Sequence, residues 1–285
     1  MKSLFAAIII CLTLASCSES HIVDHPEWGE FFQKNGITDA CFILNDHTHE
    51  RVGIYNRERC QERFSPASTF KIFNSLVALE TSVAEDDALV LPWDGIKRRP
   101  EVDTAMNMRD AFRLSNVGYY QEIARRIGKQ NFQHYLDTVK YGNMEMSDSV
   151  TRFWLDNSLK ISADEQAGFV KRLYFDELPF LERSQSIVKS MMLREDSADN
   201  RLYYKTGTVS TTNDSMLYWV VGYFEHVVPF KEDPQGMNKS GVRNYPYFFA
   251  MNFQVAKDDQ SQHWQDLRIK ILKEILHDFG ADRTK

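Results

Sequence analysis

The stretch Ser65-Pro66-Ala67-Ser68-Thr69-Phe70-Lys71-Ile72-Phe73-Asn74-Ser75-Leu76 constrains this chain more than any other, because it sets a serine and a lysine at the start of an apolar helix. Ser68 and Lys71 are three residues apart, so on a helix they share one face and the amine reaches the hydroxyl. Ile72, Leu76 and Leu79, joined by Phe73 and Val77, recur at helical spacing, which predicts a helix running through a core. A lysine in such surroundings loses its charge. Neutralising it at pH 7 lowers an ordinary pKa by roughly 3.4 units, about 4.6 kcal/mol, so the surroundings must exclude water strongly. Lys71, or a group built on it, is then the base that activates Ser68 as a nucleophile. Ser-x-x-Lys alone decides little: about one copy arises by chance at this length, and Ser186-Ile187-Val188-Lys189 is a second.

With 285 residues, 43% of them hydrophobic, the chain can bury a large core as one big domain or two subdomains. A net charge of -6 provides no basic stripe for nucleic acid, and the short runs Lys97-Arg98-Arg99 and Arg125-Arg126 read as solvated faces. Lys2 followed by the apolar run Leu4 to Leu14 reads as a secretory signal over residues 1–17, too short for a permanent membrane span. Its end, Leu14-Ala15-Ser16-Cys17, resembles a bacterial lipobox, with Cys17 either lipid-bearing or incidental to a plain cleaved signal. The rest, 18–285, reads as one exported, periplasmic domain, free or tethered at Cys17, with no later membrane span. Cys41 and Cys60 either bridge the first two strands in an oxidising compartment or stay as buried thiols. No His-Glu-x-x-His occurs, and His47-x-His49 falls in a polar hairpin, so no metal site is expected.

Ala40 to Leu44 and Val52 to Tyr55 read as strands joined by the polar turn Asn45-Asp46-His47. Helices are expected over Met108 to Leu114, Tyr119 to Ile127 up to Gly128, and Asn131 to Val139. Two more follow, from the capping box Ser162-Ala163-Asp164-Glu165 through Leu173, and from Glu182 to Leu193. That last helix carries Ser186 and Lys189 as surface positions. Strands return at Arg201 to Thr208, Leu217 to Glu225 and Tyr245 to Val255, with a long loop at Pro234 to Asn244 and a closing helix from Trp264 to Phe279. The expected fold is therefore mixed α/β (α+β). An antiparallel sheet drawn from both ends is flanked by helices, an all-helical subdomain is inserted over roughly residues 90–195, and a cleft lies at the seam.

Further short motifs stand in order along this frame: Ser115-Asn116-Val117, Tyr141-Gly142-Asn143, Phe153-Trp154-Leu155, Lys205-Thr206-Gly207 and Trp219-Val220-Val221-Gly222. With Ser68-Thr69-Phe70-Lys71 they make the chain resemble the class D serine β-lactamases, the oxacillinase type, over essentially its whole mature length. The resemblance implies the β-lactamase/penicillin-binding transpeptidase-like fold and hydrolysis of β-lactam antibiotics, with antibiotic resistance as the outcome. It implies a covalent acyl-enzyme on Ser68 and no metal. Lys71 would be carboxylated by carbon dioxide or bicarbonate and act as general base in both acylation and deacylation. Val117, Trp154 and Phe70 would form the carbamate pocket. Ser115 would relay a proton to the leaving nitrogen, polarised by Lys205, and Thr206, Gly207, Thr208 and Arg268 would bind substrate. The N–H groups of Ser68 and Thr208 would form the oxyanion hole.

The family's second motif differs from the Ser-Asp-Asn of the class A enzymes, since Val117 puts an apolar wall where they carry a polar side chain. Gly118 follows where many members have proline, and the segment Thr208-Val209-Ser210-Thr211-Thr212 and the loop near Pro234 depart from the usual pattern. Three rivals share parts of the pattern. A penicillin-binding D,D-carboxypeptidase normally carries asparagine at the Val117 position. A β-lactam-sensing receptor domain stays acylated and normally follows membrane spans. A structural lipoprotein would make every motif coincidence.

Overall fold

Strand runs rich in aromatic and β-branched residues cannot bury their faces alone, and those from the two ends of this chain join into one sheet. The computed structural model describes residues 21–211, 214–230, 241–259 and 261–283. In chain order the elements are β1 (His21–Asp24), α1 (Gly29–Gln33), β2 (Asp39–Asp46), β3 (Arg51–Tyr55), α2 (Arg57–Gln61), a 3-10 turn (Ala67–Phe70) and α3 (Lys71–Glu80). Next come β4 (Val90–Leu91), β5 (Met106–Asn107), α4 (Met108–Arg113), α5 (Val117–Val139), α6 (Ala163–Tyr174) and α7 (Glu182–Met192). The chain closes with β6 (Leu193–Asp196), β7 (Asn200–Ser210), β8 (Ser215–Phe230), β9 (Gly241–Ala256) and α8 (Trp264–Phe279).

Seven strands lie in the order β1-β3-β2-β9-β8-β7-β6. All neighbours are antiparallel except β1 and β3, which run parallel. Both faces of the sheet are covered, which is why β2 reads as a nearly unbroken apolar run. Cys41 and Ile43 face the core shared with α3, α5 and α6, whereas Ala40, Phe42 and Leu44 face the core shared with α1 and α8. The mixed α/β class and the sheet built from both ends agree with the sequence. Helix starts are legible for the same reason: Ser162 caps α6 through a reciprocal capping box with Glu165. Gly128, at φ +78, breaks α5 into the two helices expected.

Several boundaries differ. β1 and β6 were not anticipated, because four residues with little burial give no periodic signal. Asp46 belongs to β2 rather than to a turn, buried where His49 Nδ1 and Arg51 satisfy its carboxylate at 2.8 and 3.2 Å. Of the loop expected at Pro234 to Asn244, residues 241–244 are strand, paired with residues 227–230 of β8. The remainder lies outside the described residues. Cys60 sits on α2, not on a strand, and both it and Cys41 are free and buried. Hydrogen bonding to Cys41, followed by burial, pushes the Cys60 thiol's pKa up. Ser186 is exposed and Lys189 pairs with Asp176 at 2.8 Å, so the second Ser-x-x-Lys is a surface feature.

The helix that carries Lys71 is held by rings. Phe73 is fully buried, with ring centroids 5.4 Å from Phe70, 4.9 Å from Tyr141 and 6.3 Å from both Phe169 and Phe180. Phe73→Ala should therefore destabilise the protein by about 3–5 kcal/mol, read as a lower urea midpoint with unchanged slope. A loss under 1 kcal/mol would mean this cluster does not anchor α3.

Candidate active site

Ser68 stands on the 3-10 turn rather than inside a regular helix, and the turn runs straight into α3 at Lys71. The turn is strained at its entrance, where Ala67 adopts φ +50 without being glycine. Surrounding bonds over-determine it. The Trp154 carbonyl accepts from Ala67 N–H at 3.2 Å and from Ser65 Oγ at 2.8 Å. Trp219 Nε1 donates to the Ser65 carbonyl at 2.9 Å, and Gln166 Nε2 donates to Thr69 Oγ1 at 2.8 Å. Strand β7 passes so close that a Cβ on Gly207 would meet the Pro66 carbonyl at 3.0 Å. Glycine is required there for backbone to approach backbone.

Lys71 Nζ donates to Ser68 Oγ at 2.8 Å, its one hydrogen-bond partner among the described residues. The side chain is 1% exposed, with Nζ 5.3 Å from the centre of the Tyr120 ring. Burial, then the nearby positive charge of Arg99, pushes the amine from 10.5 down to about 7. Phe70 and Trp154 stack at 5.3 Å beside this turn, both buried, and the half-buried Val117 opens α5 two residues after Ser115.

Lys205, also 1% exposed, comes from β7 and donates to Ser115 Oγ at 3.0 Å and to the Thr206 carbonyl at 2.8 Å. Burial, reinforced by Lys71, Arg194, Arg268 and Arg99, holds its pKa far below the ordinary lysine value. Arg268 reaches in from α8: its Nη1 donates to the Gly207 carbonyl at 2.8 Å and to Thr208 Oγ1 at 3.0 Å, and burial pushes its pKa down to about 10. Neither lysine nor Arg268 has a carboxylate partner among the described residues. Arg268 keeps its charge at pH 7, so this neighbourhood offers a cation that no described carboxylate neutralises. No three His, Cys, Asp or Glu side chains gather as metal ligands among the described residues.

Ser68, Phe70, Lys71, Ser115, Trp154, Lys205, Thr206, Gly207, Thr208 and Arg268, scattered over 200 positions of sequence, are thus joined by direct contacts or chain adjacency. Tyr141-Gly142-Asn143 proves to be a brace. Gly142, at φ +58, has the Lys160 carbonyl where a Cβ would sit, and Asn143 bonds Lys160 and Ser158, fixing the loop that presents Trp154. Gly118 leaves room for the Asp94–Arg98 pair, whose atoms a Cβ would meet at 2.5 and 2.9 Å. Sequence reasoning missed Tyr120, Gln166 and Arg99. Only the paired aromatics Tyr119-Tyr120 on an apolar helix face offered a signal.

Keeping an amine dry costs stability. Below pH 7 the folded state must hold the Lys71 charge indoors or give up its proton, while the unfolded chain keeps it. That penalty is full below about pH 7 and fades as pH rises toward 10.5. Lys71→Met should accordingly be more stable than the parent by about 2 kcal/mol at pH 7. The gap should close toward pH 10 in denaturation series; equal stability at both pH values would refute the dry amine.

Comparison with known proteins agrees with this geometry. The family model for the penicillin binding protein transpeptidase domain matches residues 37–230. The β-lactamase OXA-20 of Pseudomonas aeruginosa is 33% identical over 280 residues, 98% of this chain and 96% of the relative. A class D β-lactamase from Sebaldella termitidis superposes with TM-score 0.81 at 31% identity, over 92% of this chain and 98% of that one. The C-terminal domain of the Bacillus licheniformis BlaR penicillin receptor does so with TM-score 0.78 at 29% identity, over 92% and 97%. With the Ser68 turn, the two buried lysines and the sheet in place, the chain belongs to the class D serine β-lactamases, hydrolases that act on β-lactams.

Proposed function

We propose that this protein opens β-lactam antibiotics through an acyl-enzyme on Ser68, with carboxylated Lys71 as general base for acylation and deacylation, and thereby confers resistance. The observation that carries the proposal is the buried Lys71 Nζ, 2.8 Å from Ser68 Oγ with no carboxylate partner among the described residues. An amine titrating near pH 7 is substantially unprotonated there, and only an unprotonated amine reacts with carbon dioxide. Phe70, Trp154, Val117 and Tyr120 supply a setting that disfavours the ammonium. Carbon dioxide bound to Nζ would supply an acid–base group in place of a simple amine.

Ser68 Oγ gives up its proton to the Lys71 side chain, bonds to the lactam carbonyl carbon, and the ring C–N bond breaks. Ser115 Oγ, polarised by Lys205 at 3.0 Å, passes a proton to the departing nitrogen. Water activated at the Lys71 side chain then releases the product. In this reading Thr208 N–H and Ser68 N–H are the donors for the developing oxyanion. Strand alternation supports Thr208: the Tyr204 carbonyl accepts from the Arg194 side chain on the β6 side of β7, so the Thr208 N–H faces the same edge, which β6 leaves uncovered. Lys205, Thr206 and Arg268 hold the substrate carboxylate, the guanidinium fork suiting a planar anion.

Residues 1–17 act as the export signal in this reading, placing residues 18–285 in the periplasm as one catalytic domain, tethered if Cys17 carries lipid. Both features lie outside the described residues. No described helix is long and apolar enough to cross a membrane.

Turnover of a chromogenic β-lactam by the purified protein tests the reading. Many turnovers per enzyme are expected, rising on addition of bicarbonate and lost in Lys71→Ala. The kcat/KM profile should rise with pH through about 7 as Lys71 loses its proton. A single stoichiometric burst would identify a receptor-like or peptidase-like acylation instead, and activity that survives in Lys71→Ala would remove the proposed base.

A further inference from the structure

Two adjacent arginines on the loop between β4 and β5 have different surroundings. Both are on the solvent side, Arg98 half-buried and Arg99 exposed, and Arg98 pairs with Asp94 at 2.7 and 2.9 Å. Arg99 has no carboxylate partner among the described residues, and its Nη2 donates to the Leu114 carbonyl at 2.6 Å. The turn that carries it is tightly built. The Asp103 carboxylate accepts from the N–H groups of Arg98 and Arg99 at 2.9 and 3.4 Å, and the Arg99 carbonyl accepts from Val102 and Asp103 N–H at 3.0 and 3.1 Å. The Val102 carbonyl in turn accepts from Asn116 Nδ2 at 3.2 Å.

This loop therefore grips both neighbours of Ser115, Leu114 by its carbonyl and Asn116 by its side chain. Ser115 itself sits at φ +58, a conformation that a non-glycine residue holds only where its surroundings impose it. We infer that Arg99 is a positioning residue of this active site: its guanidinium fixes the Leu114 carbonyl and so keeps Ser115 in the left-handed conformation that presents its hydroxyl to Lys205. The inference rests on the proton-relay role proposed above for Ser115.

The charge of Arg99 acts alongside this contact. It disfavours the protonated forms of both Lys71 and Lys205. The other groups facing Lys71 are Ser68 from the 3-10 turn, Tyr120 from α5 and Lys205 from β7. Hydrogen bond and charge are separable by substitution. Glutamine keeps an N–H donor without the charge, lysine keeps both a donor and the charge without the planar fork, and alanine removes donor and charge together.

The test compares kcat, KM, pH profile and Tm for the parent, Arg99→Lys, Arg99→Gln and Arg99→Ala with one chromogenic β-lactam. Arg99→Ala should lose roughly 10- to 100-fold in kcat, the scale on which misplacing a reacting group acts, with KM within about threefold. Arg99→Gln should recover most of kcat. The acidic limb should stand at higher pH in the glutamine and alanine variants than in the parent and the lysine variant, because losing a nearby cation raises the pKa of Lys71. Parental kcat with an unmoved limb in Arg99→Ala overturns the inference. So do losses in all three variants that merely track falling Tm. Ser115→Ala separates the two levels: full activity there would overturn the relay role beneath the inference, whereas failure confined to the Arg99 variants leaves the reaction as proposed.

Discussion

A lysine amine held without water beside a serine hydroxyl is the contact on which the rest of this structure depends. Moving its pKa from 10.5 to about 7 corresponds to roughly 5 kcal/mol of disfavoured charge, a large fraction of the stability of an ordinary domain. The fold must carry that cost, and the means are visible. Phe70, Phe73, Phe132, Tyr141, Phe153 and Trp154 close around the start of α3 with ring centroids mostly 5–6 Å apart. Among the described residues the hydrogen bond of Nζ is the one to Ser68. The same packing that destabilises the ammonium suits the amine to the basic role proposed for it.

The second constraint is the approach of β7 to the nucleophile turn. Gly207 removes the side chain that would keep the strand away, and Trp219 on the neighbouring strand ties the turn down through the Ser65 carbonyl. Lys205 arrives on that strand, and Arg268 reaches it from α8. Charge repulsion among Lys71, Lys205 and Arg268 would be costly in a closed core. Burial answers that cost by holding the pKa values of Lys71 and Lys205 below the ordinary lysine value, which leaves Arg268 as the charged member of the three. The helical side completes the site through Ser115, whose unusual backbone is set by residues before and after it rather than by its own preference.

How much of this could be read beforehand depended on the range of the forces involved. Ser68 and Lys71 were legible as a pair because both lie on one helical turn, and the apolar spacing of Ile72, Leu76 and Leu79 marked the helix as buried. The capping box at Ser162 and the break at Gly128 were local in the same sense. β6 was invisible because Leu193-Arg194-Glu195-Asp196 owes its conformation to β7 and not to any pattern of its own. Arg99 was read as solvated surface because its neighbours in sequence are basic, and it is exposed as expected, but its contact was not legible. Nothing in the sequence shows that Asp94 neutralises Arg98 while Arg99 turns to the Leu114 carbonyl.

The sequence by itself determined the chemistry available: which serine has a lysine one turn away, which helices have apolar faces, and that Lys205-Thr206-Gly207 ends in a residue without a side chain. Periodicity and capping act within a few residues, so they survive in a one-dimensional reading. Tertiary structure alone decided that the Lys71 amine is dry, that Lys205 and Ser115 meet at 3.0 Å across 90 residues of chain, and that Cys60 faces Cys41 from a helix. Those outcomes depend on which distant surfaces come together to exclude water, and desolvation belongs to the assembled core rather than to any one segment of the chain.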